Sequence, residues 1–183
     1  MKKILGQYEE DYEDIINNDF EDESYIYNKF IDKKYRAYNS FRSYNKKNNI
    51  ECVLKVISEE NLSFQNYDIL LERLNKEQEI QTLCNSTNTI NFYRRLETEE
   101  NIIFELEHYD DDLYNYLQDN RELFRDKKFF KEIVISIAKA LKTLHEKGIM
   151  HRDIKPHNIF IKNLDDEDNR IIKLGNFGSA ILN

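Results

Sequence analysis

The sequence predicts an α+β fold, in which short strands are followed by a helix, further strands, a second helix, and a polar loop that runs into a hairpin. Three observations predict it. Residues 25–56 form short segments rich in Tyr, Phe, Ile and Val broken by Asn and Lys, as strands joined by turns are. Phe130, Ile133, Ile137, Leu141 and Leu144 recur at alternating three- and four-residue steps, the spacing of one buried helix face. Two short apolar runs, residues 159–161 and 171–174, flank a polar turn at 163–169, as the strands of a hairpin do.

Taken in order, the chain opens with a stretch that repels itself. Between Tyr8 and Ser24 there are nine acidic side chains and no basic one, which reads as a flexible acidic leader over residues 1–24. Folded sequence is expected from Tyr25, with residues 50–57 the clearest strand. Ile69, Leu70, Leu74, Ile80 and Leu83 predict a helix over about residues 65–84. Strands are expected at 89–92 and 102–106. The strongest helix follows Asp126, whose carboxylate can accept from the free N–H groups of a first turn, and Gly148 stands just past its end, where a left-handed residue is common. No internal repeat is present.

The bulk numbers exclude several classes. With 183 residues, 40% hydrophobic and 34% charged, the chain can bury a core. A net charge of -8 would repel a phosphate backbone, so nucleic acid is a poor partner despite the basic cluster Lys33, Lys34, Arg36, Arg42, Lys46 and Lys47. Cys52 and Cys84 are too few and too distant for a disulfide framework and have no metal-ligand spacing, which predicts a reducing, cytoplasmic setting. Ile4 and Leu5 are the only apolar residues of the extreme N-terminus, far short of a signal peptide or membrane span, so no membrane partner is expected.

Phosphoryl transfer to a hydroxyl needs a group that orients the nucleophile and accepts its proton, positive charge on the phosphates, and oxygen ligands for a metal. The segment His151-Arg152-Asp153-Ile154-Lys155-Pro156-His157-Asn158 supplies such residues at short spacing, and eighteen residues after its Asn stand Asn176-Phe177-Gly178. The segment resembles the catalytic loop of the protein kinase family, of the serine/threonine class by its Lys155-Pro156. The later turn resembles that family's metal-binding turn with its Asp replaced by Asn.

The resemblance covers about residues 25–183. It implies a protein kinase-like fold with a small β-rich lobe over about 25–107 and the first part of a helical lobe over about 108–183. It further implies Asp153 as catalytic base, Lys155 at the transferring phosphate, and Asn158 and Asn176 at the metal. Cys52-Val53-Leu54-Lys55 resembles the strand presenting the phosphate-binding Lys. Glu79 resembles the helix acid that pairs with Lys55, with Glu77 or an ordinary solvated face as rivals. Residues 103–106 resemble the strand into the hinge, where backbone groups of Glu105, Leu106 and Glu107 would receive adenine. ATP and Mg2+ are the implied cofactors, and a protein substrate or partner is implied.

Three departures weaken the implied activity. The family covers the ATP phosphates with a glycine-rich turn, whereas this chain holds only Gly6, Gly148, Gly175 and Gly178, and places Lys33, Tyr35 and Tyr38 where those glycines belong. Asn176 removes a negative charge opposite a cation that prefers hard anionic oxygens. The sequence ends five residues after Gly178, which reads as a truncated domain whose helix over residues 129–144 would expose apolar surface. The leading expectation is a degenerate, pseudokinase-like domain acting by binding or allosteric regulation. The alternatives are an active protein serine/threonine kinase and a non-functional remnant.

Overall fold

The structure, a computed structural model, describes residues 25–35, 38–58, 64–98, 101–164, 166 and 169–183, with the backbone alone for 25–35, 38, 39, 58 and 64–67. The acidic leader expected over residues 1–24 lies outside them. The chain divides into two compact units, one holding Tyr93–Leu106 and the chain before Phe64, the other Phe64–Phe92 and Glu107–Asn183.

The first unit is a five-stranded sheet made by β1 (Tyr25–Tyr35), β2 (Tyr38–Asn45), β3 (Ile50–Ser58), β4 (Phe92–Glu97) and β5 (Asn101–Glu107), in the order β1-β2-β3-β5-β4. β1–β2 and β2–β3 are antiparallel, and Asn49 at φ 58 takes the left-handed position in the second connection, a conformation Asn tolerates better than most residues. Lys33 and Tyr35 lie on β1 and Tyr38 on β2, with Tyr35 opposite Tyr38; what their side chains do lies outside the described residues.

Along β3, Cys52, Leu54 and Val56 join Phe41 and Ile103 in one apolar cluster, while Val53, Lys55 and Ile57, on the other side of the pleat, are buried as well. Removing each such large apolar side chain from water contributes about 1.5–3 kcal/mol, so β3 and the buried β5 anchor this unit. Burial pushes the Cys52 thiol up to about 12, with the Glu105 charge adding to it, which makes Cys52 an inert packing residue.

One strand falls away from its expected place. Thr89 makes only an isolated bridge to Leu174, and the strand itself runs over Phe92–Glu97. Arg94 and Arg95 hid it by breaking the apolar alternation. At this outer strand both are carried by ion pairs, Arg94 Nε to Glu105 Oε2 at 2.5 Å and Arg95 Nη2 to Glu97 Oε1 at 2.6 Å.

The second unit contains α1 (Phe64–Leu83), β6 (Asp111–Asp112), α2 (Leu113–Asp119), α3 (Lys127–Glu146), β7 (Ile149–Met150), β8 (Ile159–Lys162), β9 (Ile171–Leu174) and β10 (Ile181–Leu182). Its core gathers Ile80 from α1 and Cys84 just past its end, Leu113 and Leu117 from α2, and the inner face of α3 with β7, β8 and β9. Helix α2 was not expected, since only Leu113 and Leu117 of its seven residues are buried; Asp112 starts it by accepting from Asn115 N at 3.0 Å.

Asp126 caps α3 as expected, its Oδ1 accepting from Lys128 N at 2.8 Å and Phe129 N at 3.1 Å. The buried stripe is Phe129, Ile133, Ile137, Ala140 and Leu144, so Phe130 and Leu141 sit at its margin and not in its centre. On the opposite side Val134 and Ile135 are exposed, at 65% and 43%. Gly148, at φ 71, ends the helix by donating its N–H to His145 O. Among the described residues no helix is long and apolar enough to cross a membrane.

Candidate active site

The hairpin β8–β9 brings the two motifs together. Its register sets Ile159 opposite Leu174, so the residue before β8 and the residue after β9 must be neighbours, and Gly175 N donates to Asn158 O at 2.9 Å. Glycine is required at 175 because a Cβ there would lie 2.7 Å from a Phe160 ring carbon and 2.9 Å from Ile90. His151 closes the other side. Its Nε2 lies 3.0 Å from Gly175 O and its Nδ1 accepts from Asp153 N at 3.3 Å, which fixes a neutral ring with the proton on Nε2. Burial lowers its pKa in keeping with that assignment. Phe177 is buried with its ring edge-on to His151 at 5.2 Å. Arg152 and Asn176 both adopt φ 64, and Arg152 Nε donates to Ser179 O at 2.7 Å.

Within this frame four polar side chains run in series. Lys155 Nζ lies 2.8 Å from Asp153 Oδ2. Asn158 Nδ2 donates to Asp153 O at 2.7 Å and to Asp153 Oδ2 at 2.8 Å, and Asn176 Nδ2 donates to Asn158 Oδ1 at 2.9 Å. Burial works against a charge on Asp153, but the hydrogen bonds from Lys155 and Asn158 and the Lys155 charge outweigh it and hold the carboxyl below the usual carboxylate range. An ionised, partly exposed carboxylate beside an ammonium can orient a hydroxyl and accept its proton.

The family model of the protein kinase domain matches residues 39–182. The chain belongs to the protein kinase family. It is 34% identical over 139 residues to an Aurora kinase of Candida glabrata, covering 75% of this chain and 36% of that protein. An Aurora kinase of Saccharomyces cerevisiae is 34% identical over 133 residues, 72% of this chain and 34% of that one. Serine/threonine-protein kinase atg1 of Dictyostelium discoideum is 30% identical over 144 residues, 76% of this chain and 21% of that protein. The chain thus spans about a third or less of the length of these curated relatives, of which the Dictyostelium protein is named a serine/threonine-protein kinase.

The remaining candidate residues of this kinase domain fall in two places. In the first unit Lys55 is buried on β3, its ammonium 5.8 Å from the centroid of the Phe104 ring. Glu105 is buried too, and its carboxylate accepts from Asn45 Nδ2 at 3.0 Å and from Arg94, so that acid serves the sheet. Leu106 is half-buried.

In the second unit Glu107 Oε2 takes Lys173 Nζ at 2.6 Å and Asn91 N at 3.1 Å, while Glu107 N donates to Asn91 O. Its carboxylate and its N–H are therefore both committed within the fold. Glu79 is on the exposed side of α1, whereas Glu77 is buried, its Oε2 3.4 Å from where a Cβ on Gly178 would stand. The sequence held the signal for this: Leu74, Glu77, Ile80, Gln81 and Cys84 fall at helical steps on one face and are all buried, and Glu79 is out of phase with them.

The divalent cation that the family uses would have to be held by Asn158 and Asn176. The donors are two neutral amides that bond each other, and among the described residues no group of three or more His, Cys, Asp or Glu could hold a metal ion. The set does not fit a hard divalent cation.

Proposed function

We propose that this is a serine/threonine-type protein kinase domain with impaired phosphoryl transfer, whose role is to bind and regulate a protein partner inside the cell. The observation that carries the reading is Asn176: the turn that faces Asn158 presents an amide where the family's chemistry calls for a carboxylate. Lys33, Tyr35 and Tyr38, which stand where the family's glycines belong, support the same reading. Both cysteines are free and buried, in keeping with an intracellular setting.

On this proposal Asp153 orients an acceptor hydroxyl, Lys155 and Lys55 supply positive charge to phosphates, and adenine is received by backbone groups of residues 105–107 other than the Glu107 N–H, which Asn91 O already takes. Glu77 replaces Glu79 as the acid of α1, because only Glu77 is turned inward. Retained activity is the second reading, favoured by the complete Lys155–Asp153–Asn158 constellation. Transfer of labelled phosphate from ATP to a mixed protein substrate decides between them. The proposal expects incorporation no greater than that of an Asp153→Asn variant; incorporation above that background sinks it.

A further inference from the structure

Each amide in the Asn158–Asn176 pair has its orientation forced by its neighbours. Asn158 faces Asp153 through two acceptors, the main-chain O at 2.7 Å and Oδ2 at 2.8 Å. Only an NH2 group can satisfy both, so Nδ2 points at Asp153 and Oδ1 must point away, toward the turn. Asn158 is 2% exposed, so its oxygen needs a donor or a positive charge. Asn176 supplies the donor: its Nδ2 lies 2.9 Å from Asn158 Oδ1. A carboxylate at 176 could not do this. It would set acceptor against acceptor at hydrogen-bonding distance, an arrangement that is relieved only by a cation or a proton between them.

We propose that the Asn176 amide replaces the divalent cation as the link between the Asp153 loop and the Phe177 turn, so that this domain closes its active site without metal. This rests on the reading of the chain as an impaired kinase domain and extends it to cation recognition. The domain carries an internal donor fixed by the fold instead of an exchangeable ion. Its loop geometry is independent of magnesium, and the site has no free anionic oxygen at Asn158 to recruit one. The same geometry holds a latent cation site, one residue change away: Asp at 176 beside Asn158 Oδ1 would recreate the need for a positive charge.

The test uses the full chain and Mn2+ as probe, followed by paramagnetic binding titration and by thermal melting in chelator and in millimolar Mn2+. The parent is expected to bind no stoichiometric Mn2+ and to melt at the same temperature in both buffers. Asn176→Asp is expected to melt about 2–4 °C lower in chelator, the loss of about one buried hydrogen bond in a chain of this size, and to recover on binding one Mn2+. Asn158→Ala in that background should abolish the ion. Asn176→Ala, which adds no charge, should lower the melting temperature equally in both buffers.

Stoichiometric Mn2+ binding by the parent overturns the proposal, as does an Asn176→Asp variant that is folded in chelator yet gains no ion. An Asn176→Ala variant that melts like the parent also overturns it, since the amide would then link nothing. These outcomes are separate from the phosphate-transfer result: metal-independent transfer by the parent would defeat the impaired-kinase reading and leave the amide link standing.

Discussion

Replacing Lys173 by Met should unfold the second unit more readily than any surface change in it. Lys173 Nζ and Glu107 Oε2 are 2.6 Å apart, with their side chains only 10% and 11% exposed. Glu107 also accepts from Asn91 N at 3.1 Å. Lys173→Met keeps the aliphatic stem and deletes the charge, leaving the Glu107 carboxylate buried with one neutral donor. Breaking one partner of such a pair costs about 3–5 kcal/mol, most of it the penalty of the charge left behind. At about 2–4 °C per kcal/mol for a chain of this length, the melting temperature should fall by about 6–20 °C. The second change completes the argument. Glu107→Gln in the Lys173→Met background removes the orphaned charge while keeping an oxygen for Asn91 N, so the double variant should recover most of the loss, a coupling that urea midpoints at unchanged slope would measure. A Lys173→Met variant within about 1 kcal/mol of the parent, or a double variant worse than the sum of its singles, would refute the view that this pair is a buried charge couple.

Two further outcomes follow from the same unit. The folded chain holds His151 neutral below the ordinary histidine value of 6.5, so the unfolded chain takes up that proton first; stability is full above pH 6.5 and falls as pH drops toward the lowered folded pKa. Urea midpoints compared between about pH 7.5 and about pH 5.5 should show a steeper fall for the parent than for His151→Gln, and equal slopes would contradict the neutral, doubly bonded ring. Gly175→Ala should cost about 1–3 kcal/mol by pushing a methyl onto Phe160 and Ile90, and the paired change Gly175→Ala with Phe160→Leu should return part of it; an unchanged melting temperature for the single variant would show that the close approach is not real.

The sequence made the secondary structure legible where periodicity and caps agree. Asp126, the three- and four-residue steps after it, and Gly148 mark α3 at both ends, and the apolar runs around 163–169 mark β8 and β9. It concealed elements held by charge. The strand Phe92–Glu97 reads as polar because its arginines pair with Glu105 on the neighbouring strand and with Glu97 two residues along the same strand, and α2 reads as loop because two leucines suffice to seat it. In the candidate site, Asp153, Lys155 and Asn158 could be named because one short loop carries them in an order that resembles the catalytic loop of the kinase family. The inward turn of Glu77 could have been read from its phase with Leu74 and Ile80, but the outward turn of Glu79 competes with it in any argument from a single residue. What Glu107 and Lys173 do for each other was not readable, since 66 residues separate them.

Why the loop keeps its shape without the carboxylate is a matter of which atoms hold it. Gly175 N, Gly175 O and Ser179 O, all main chain, receive or supply three hydrogen bonds between the Asp153 loop and the Phe177 turn. Phe177, buried against His151, adds an apolar anchor that is indifferent to charge. The Asn158–Asn176 bond adds to these and is formed between two side chains. The fold therefore constrains position 176 to a residue that accepts a left-handed backbone and can meet Asn158 Oδ1, and Asn satisfies both. Catalysis asks for something different at the same place, a negative charge, and nothing in the surrounding packing demands it. A family member can thus lose that charge while the geometry around Asp153 stays intact.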